Sequence, residues 1–249
     1  MNALRDMGTA LRLLTVLPAG SHEGLRPARY FPWVGTVFSL AGLGIAWTAG
    51  RLIPAEGAAS LMAGTVIVGV WALLSGGMHW DGLADSLDGM GVRGDSARRL
   101  AVMRESGIGA YGALGLVVCL VAQVSAIAAL LEAGTLWPIA AAPVLGRLGA
   151  SAALVWWRPA RPDGLGARYA GDEGPFGALI MALPVVALVG LSYTPGHAGL
   201  AVAGLVTAVV APSLFTRRLG GVTGDVAGAS VIITETVVLI AGVFMGSAL

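Results

Sequence analysis

Seven apolar stretches dominate the sequence, and each has about the 20 residues that an α-helix needs to cross a bilayer. They cover residues 33–53, 58–78, 110–131, 135–157, 176–194, 198–215 and 228–248. Inside lipid the backbone must satisfy its own hydrogen bonds, and stretches of this length do so as helices. The sequence therefore predicts an all-α fold: a polytopic integral membrane helix bundle with about seven transmembrane helices, in a single domain over residues 1–249.

The charge content supports a membrane protein. Only 12% of the 249 residues are charged and the mean hydropathy is +0.81, whereas soluble domains are about 25% charged. The formal net charge is only +1. Because a nucleic-acid-binding surface needs a strong excess of basic residues, we expect no nucleic acid partner.

The N-terminal residues 1–17 differ from the apolar stretches because their apolar side chains form a single stripe. The stripe consists of Leu4, Met7, Leu11, Leu14 and Leu17. This spacing predicts an N-terminal amphipathic helix. Such a helix either lies in the interface of the lipid bilayer or packs on the bundle, and the sequence leaves both alternatives open.

The arginines indicate how the bundle is oriented. All fifteen basic residues are arginine; Arg147 lies inside the fourth stretch, and the segments around the stretches carry four, one, four, none, three, none, two and no arginines in order. Basic segments stay on the cytoplasmic side of a membrane, so this alternation predicts a cytoplasmic N-terminus. Most carboxylates fall in the same segments, and we therefore expect the active site to face the cytoplasm.

A group of carboxylates directly follows the second stretch. The motif HWDGLADSLDGMG, residues 79–91, spaces Asp81, Asp85 and Asp88 so that they share one face of a helix. Three such carboxylates repel one another unless a cation lies between them, and Mg²⁺ with oxygen ligands commonly bridges to a substrate phosphate. The motif predicts a Mg²⁺ site, with a solvated acidic face as the alternative. His79 beside it is a candidate base, ligand or interface residue.

A second acidic site lies in the motif GGVTGDVAGASVIITE, residues 220–235. Backbone N–H groups near Thr223 and Gly224 can bind an anion where the seventh helix begins. Asp225 could complete the metal shell, facing the first three aspartates across a polar cleft, or be a plain N-cap. Glu235 lies within a predicted span, where an acid is costly and usually functional or paired. A structural pair with Arg147 and a direct role at the metal are both open.

Arginines of two predicted cytoplasmic segments could bind phosphates. The candidates are Arg98, Arg104, Arg161 and Arg168. The planar guanidinium binds phosphate in a bidentate fashion, although the cytoplasmic topology alone would also place arginines here. Carboxylates, Mg²⁺ and arginines together favour transfer of a phosphoryl-linked group, in which a carboxylate takes the proton of an attacking hydroxyl.

Four motifs resemble, in order and spacing, those of the cobalamin synthase family, also called adenosylcobinamide-GDP ribazoletransferases. They are GGMHWDGLADSLDGMG, MRESGIGAYG, RPARPDGLG and GGVTGDVAGA, and the segments LRLLTVLP and RYFPWVG resemble the N-terminal part of the family. The chain departs from the family at Glu105-Ser106-Gly107, where aspartate-serine-arginine is common, and at Ile232, where a second acid is common.

The resemblance implies a Mg²⁺-dependent transferase of the late cobalamin pathway in the bacterial plasma (inner) membrane. Its substrates would be adenosylcobinamide-GDP and α-ribazole or its 5'-phosphate. The ribose 3'-hydroxyl would attack the cobinamide-side phosphorus and GMP would leave.

The motifs then suggest a role for each candidate residue. Asp85, Asp88 or His79 would take part in catalysis, Arg98, Arg104, Arg161, Arg168, Thr223 and Gly224 would bind phosphate, and Asp81, Asp85, Asp88, Asp225 and Glu235 would hold the metal. One alternative is an enzyme similar to CDP-alcohol phosphatidyltransferases or prenyltransferases, with a lipid acceptor. Another is an ion-coupled transporter with Arg147 and Glu235 as its relay. A homo-oligomer is left open.

Overall fold

The computed structural model describes residues 2–20, 26–52, 56–162, 164, 167, 169, 173–190 and 194–246. Its helices are α1 (Asn2–Leu14), α2 (Phe31–Leu52), α3 (Ala58–Leu74), α4 (Met78–Gly91), α5 (Ser96–Val102), α6 (Ala110–Glu132), α7 (Trp137–Trp156), α8 (Gly174–Gly190), α9 (Pro195–Leu219) and α10 (Gly224–Phe244). A short 3-10 helix, Pro27–Tyr30, precedes α2. The regular structure of the described residues is thus helical.

The long helices confirm an all-α, multi-pass membrane bundle. Five of them are long and apolar enough to cross a membrane: Pro27–Leu52, Ala110–Glu132, Trp137–Trp156, Pro195–Leu219 and Gly224–Phe244. The second and fifth predicted stretches correspond to α3 and α8, which have 17 residues each. The prediction of about seven apolar helices is therefore met, with two of them shorter than a full span.

The second predicted stretch ends four residues earlier than the sequence suggested, because two glycines interrupt it. Gly76 and Gly77 both have positive φ, +60° and +77°, a conformation that costs a glycine little. They turn the chain by 88° between α3 and α4. Consequently α4, which carries the acidic motif, lies crosswise at the end of α3 instead of continuing the span.

The N-terminal helix α1 packs on the bundle by one face. Ala10 and Leu14 are buried, whereas Leu4 on the predicted stripe is 84% exposed. Asp6 is buried and forms an ion pair with Arg29, which lies in the 3-10 helix before α2. An ion pair between the buried Asp6 and the partly buried Arg29, together with an apolar contact, holds α1 in place. The helix is therefore packed on the bundle and also leaves part of its apolar stripe uncovered.

The centre of the bundle is formed by α7 and α10. A Cβ atom added to Gly146 of α7 would lie 2.9 Å from Cγ of Glu235 of α10, which shows how closely the two helices approach. Small residues allow such an approach between membrane helices. Within this contact Arg147 and Glu235 are both buried and form an ion pair. The guanidinium of Arg147 also lies 3.7 Å from the ring centroid of Phe38.

Candidate active site

The candidate site lies at the arginine-rich end of the bundle, where α3, α7 and α9 end and α6 and α10 begin. Here α4 crosses the first turns of α10 in direct backbone contact. A Cβ atom added to Gly82 would lie 2.7 Å from the carbonyl oxygen of Asp225, and one added to Gly228 would lie 3.3 Å from Cα of His79. The two glycines therefore bring the acidic motif against the start of α10.

This contact brings Asp81 and Asp85 of α4 together with Asp225. Burial, together with the smaller effect of the neighbouring carboxylates of Asp81, Asp225 and Asp88, raises the pKa of Asp85 to about 6. Neither Asp81 nor Asp85 accepts a hydrogen bond or pairs with a cation among the described residues. Asp225 interacts with the hydroxyl of Thr223 and with Arg161. We call Asp81, Asp85 and Asp225 the acid cluster; it carries more negative charge than its neighbours compensate.

Asp88 points away from the acid cluster and towards α6. Its Oδ2 accepts a hydrogen bond from the backbone N–H of Gly109 at 2.7 Å, and its Oδ1 accepts one from that of Gly112 at 2.8 Å. A carboxylate in this position satisfies free N–H groups at a helix start and interacts favourably with the helix dipole. Asp88 thus fixes the start of α6 to α4, although the sequence placed it with the other two aspartates.

His79 is buried beneath the acid cluster. The residue is only 3% exposed, and neither ring nitrogen has a hydrogen-bond partner among the described residues. Burial and the nearby charge of Arg147 lower the pKa of His79. The imidazole is therefore neutral, and it carries one donor and one acceptor that the described residues leave unused.

The entry of α10 is organised by Thr223 and by a backbone bridge. Oγ1 of Thr223 accepts a hydrogen bond from the N–H of Val226 at 3.2 Å and caps the helix. The chain just before it pairs with the loop after α7: the N–H of Ala160 donates to the carbonyl of Val222, and the N–H of Val222 donates to that of Arg158, both at 2.8 Å. The arginine-containing loop is thereby held beside Gly224 and Asp225.

The candidate arginines are placed differently from one another. Arg161 is partly buried, and its Nη2 donates to the carbonyl of Leu100 at 2.6 Å. Arg98 in α5 and Arg104 just after it are exposed. Arg168 lies outside the described residues. Of the arginines that the structure describes, Arg161 is the candidate brought next to the acid cluster.

Arg99 and the glycine contacts were missed as site-forming features in the sequence. Nη1 of Arg99 donates to the carbonyls of Gly89 and Met90 at 3.1 Å and 2.8 Å. A cation at the carbonyl end of a helix is favourable, so Arg99 fixes the last turn of α4. The sequence offered only a general signal, an arginine shortly after an acidic helix, which does not say which carbonyls it reaches.

Comparison with known proteins identifies the family. The family model described as cobalamin-5-phosphate synthase matches residues 6–243. The chain belongs to the cobalamin-5-phosphate synthase family. This confirms the resemblance that the four motifs suggested.

Relatives of similar length bear the name adenosylcobinamide-GDP ribazoletransferase. One from Roseiflexus sp. (strain RS-1) is 36% identical, with 94% of this chain and 87% of the relative covered. One from Stutzerimonas stutzeri is 35% identical, covering 91% and 90%, and one from Pseudomonas aeruginosa is 36% identical, covering 96% and 98%. No solved structure matches the chain.

The acid cluster of this cobalamin-5-phosphate synthase family member fits a hard divalent cation. Among the described residues no group of three histidine, cysteine, aspartate or glutamate side chains encloses a metal site by itself. Mg²⁺, however, usually keeps several waters and uses one or two carboxylates together with substrate phosphates. The unpaired oxygens of Asp81 and Asp85 next to Asp225 supply such a set.

Glu235 does not join the acid cluster. It lies ten positions beyond Asp225 in α10, which is about 15 Å along a helix. Its carboxylate is paired with Arg147 in the interior. The structure therefore gives Glu235 a partner that accounts for its charge, the structural alternative that the sequence had left open.

Proposed function

We propose that the protein is an adenosylcobinamide-GDP ribazoletransferase, which joins α-ribazole or its 5'-phosphate to adenosylcobinamide-GDP and releases GMP. Family membership and the names of its relatives support this activity. The observation that carries it in the structure is the acid cluster: Asp81 and Asp85 of α4 lie beside Asp225 at the start of α10, and the nearby Arg161 compensates only part of their negative charge. A diphosphate substrate and its metal ion would supply the rest of that compensation.

Asp81, Asp85 and Asp225 would hold Mg²⁺. When bound, the ion would neutralise charge on the diphosphate and on its leaving group. Asp88 and Glu235 are left out of this proposal, because the oxygens of Asp88 accept hydrogen bonds from α6 and Glu235 is paired with Arg147. The proposal thus divides the acids into a metal-binding set and a structural set.

The reaction is a displacement at phosphorus. The ribose 3'-oxygen of the acceptor forms a bond to the phosphorus that carries cobinamide, and the bond from this phosphorus to the bridging oxygen breaks. The bridging oxygen leaves with its electron pair as part of GMP. The hydroxyl proton passes to a carboxylate of the acid cluster, and Asp85 is the best placed because it is half-buried between its two neighbours.

Phosphate groups would be bound by the entry of α10 and by arginines. The first backbone N–H groups of α10, next to Thr223 and Gly224, can interact with an anion at a helix start. Arg161 is held next to Asp225 by the bridged loop and would contact the same diphosphate. Arg98 and Arg104 are exposed at the same end and would bind the outer phosphates, together with Arg168.

We further propose that the site faces the cytoplasm from the bacterial inner membrane. The arginine-rich end carries the loops after α4, α7 and α9, and arginine-rich loops remain on the cytoplasmic side of a bilayer. Both proposed substrates are charged and polar, so a site at the aqueous end of the bundle is accessible to them without crossing the membrane.

The proposal is tested with purified protein in lipid nanodiscs, supplied with adenosylcobinamide-GDP, α-ribazole 5'-phosphate and Mg²⁺. We expect GMP release that chelation of Mg²⁺ abolishes, and we expect Asp85→Asn to remove it without a change in thermal unfolding. Glu132→Gln is the matched control, because Glu132 lies at the opposite end and accepts a hydrogen bond from the N–H of Gly57. Release of CMP from a CDP-alcohol in place of GMP would instead favour the lipid-acceptor enzymes.

A further inference from the structure

A narrow cavity adjoins the acid cluster and contains the buried His79. Its volume is about 60 Å³, and it is lined mostly by apolar residues of α1, α2, α4, α7 and α10, and by Tyr169 of the loop after α7. The lining residues that matter here are Leu14, Phe31, His79, Leu154, Gly224 and Ala227. Such a volume holds several waters or the edge of a flat ring. The lining also contains the phenol of Tyr169, which has an interaction partner of its own, so the imidazole is the polar side chain of the lining that lacks a partner among the described residues.

The imidazole makes the cavity a binding site rather than a packing defect. Both ring nitrogens of His79 lack a hydrogen-bond partner among the described residues, although the residue is only 3% exposed. Unpaired buried polar groups are costly, and a leucine would fill such an apolar setting at lower cost. We therefore expect the histidine to have a partner that the described residues do not provide.

The position of the cavity relates it to the acceptor. Gly224 lines the cavity and is followed directly by Asp225, while His79 precedes Asp81 by two residues. A group in the cavity is thus a short distance from the acid cluster, where the attacking hydroxyl must lie. A nucleoside whose base enters the cavity would direct its ribose towards the carboxylates.

The chemistry of the lining discriminates between the two bases of the reaction. The base of α-ribazole is a dimethylbenzimidazole, which is flat, apolar and has one ring nitrogen free to accept a hydrogen bond. Guanine carries several donors and acceptors around its edge, and each would need a partner when buried. With one imidazole, one phenol that already has a partner, and apolar walls such as Phe31 and Leu154, the cavity suits the first base better than the second.

We propose that this cavity is the subsite for the heteroaromatic base of the nucleoside acceptor, and that an N–H of His79 donates a hydrogen bond to the free ring nitrogen of that base. This rests on the proposed function. His79 is then a specificity-determining residue, and the proton of the attacking hydroxyl goes to the acid cluster instead.

The decisive experiment compares two acceptors in two enzymes. One acceptor is α-ribazole, and the other is the matching indole nucleoside, in which a C–H replaces the free ring nitrogen. We expect the wild type to prefer α-ribazole about tenfold in kcat/KM, the usual weight of one hydrogen bond, and His79→Leu to show no preference. In His79→Leu the KM for α-ribazole should rise about tenfold, with the KM for adenosylcobinamide-GDP unchanged.

Binding without turnover gives a second readout. Titration of α-ribazole into the protein without adenosylcobinamide-GDP should show weaker binding to His79→Leu and to Ala227→Leu, which fills the cavity but keeps the imidazole. If the cavity holds water alone, Ala227→Leu binds α-ribazole as the wild type does, and the inference fails. Thermal unfolding of both variants monitors whether they remain folded.

His197→Leu is the matched control. His197 is also a buried histidine with an unpartnered Nδ1, but it lies at the opposite end of the bundle and stacks on Trp137. Its replacement should leave the preference between the two acceptors intact. A fall in kcat of His79→Leu with unchanged acceptor KM and unchanged preference would overturn the subsite and make His79 a base. Absence of GMP release from the wild type would refute the proposed function itself.

Discussion

Gly82 of α4 lies directly against the carbonyl oxygen of Asp225 of α10, so two residues more than 140 positions apart in sequence define one site. The contact depends on the absence of a side chain at residue 82. It also depends on the turn at Gly76 and Gly77, which directs α4 across the bundle end. The acid cluster is therefore a property of helix packing as much as of the acidic motif.

Gly82→Ala should separate α4 from α10 and weaken the binding of Mg²⁺ by the acid cluster. The new Cβ would lie 2.7 Å from a backbone oxygen that cannot move aside easily, and overpacking of this kind costs about 1–3 kcal/mol. We expect a lower thermal unfolding temperature and a higher Mg²⁺ concentration for half-maximal GMP release. Gly69→Ala in α3 is the control, since nothing lies within 4 Å of its added Cβ. Equal behaviour of the two variants would show that the close contact is unimportant.

Asp88→Asn should lower the stability of the folded protein without changing its requirement for Mg²⁺. The substitution removes the charge from hydrogen bonds to the N–H groups of Gly109 and Gly112, and loss of a helix-capping group costs about 0.5–2 kcal/mol. Thermal unfolding measures the loss. A Mg²⁺ titration of GMP release distinguishes this structural role from metal binding. If Asp88 were a metal ligand, the Asn variant would need a much higher Mg²⁺ concentration for half-maximal GMP release; if Asp88 only caps α6, that concentration stays unchanged.

Much of the architecture could be predicted from the sequence, because apolar stretches about 20 residues long have few alternatives to transmembrane helices. The pairing of Arg147 with Glu235 was anticipated as one of two alternatives for the same reason, since lone charges are costly in lipid. The break before α4 was not predicted, since the second apolar stretch was expected to continue to residue 78, through Gly76 and Gly77.

The contacts of Asp88 with α6 could not be predicted from its spacing in the sequence. Asp81 and Asp88 share a helix face, yet they are seven residues apart, about 10 Å along the axis. At that distance Asp88 has passed the first turn of α10 and meets the start of α6 instead. Helical periodicity predicts which residues share a face, but it does not predict which neighbouring helix each of them reaches.

The ion pair inside the bundle should be structural and not part of the metal site. Glu235→Gln leaves the buried guanidinium of Arg147 without its carboxylate, and breaking a buried pair in this way costs about 3–5 kcal/mol. We expect a large fall in the thermal unfolding temperature. The double variant Arg147→Met with Glu235→Leu removes both charges and should recover most of the stability, together with a normal Mg²⁺ titration. If the double variant is stable but needs a higher Mg²⁺ concentration for half-maximal GMP release, Glu235 belongs to the metal site.

Arg161 should matter more for the diphosphate substrate than the exposed arginines do. Its loop is bridged to the entry of α10, and it lies near Asp225. A hydrogen bond to a charged group is worth about 1.5–3 kcal/mol, so Arg161→Gln should raise the KM for adenosylcobinamide-GDP at least tenfold. Because Nη2 of Arg161 also donates to the carbonyl of Leu100, thermal unfolding has to be measured alongside.

Arg217→Gln provides the comparison for Arg161→Gln, since Arg217 is exposed at the end of α9 on the same side of the bundle. If general positive charge attracts the substrate, both variants raise the KM modestly and added salt removes the difference from wild type. If Arg161 contacts the diphosphate, its large effect persists at 0.5 M salt while Arg217→Gln behaves as wild type. The salt series therefore distinguishes a specific phosphate ligand from the positive charge that the membrane topology alone would place at this end.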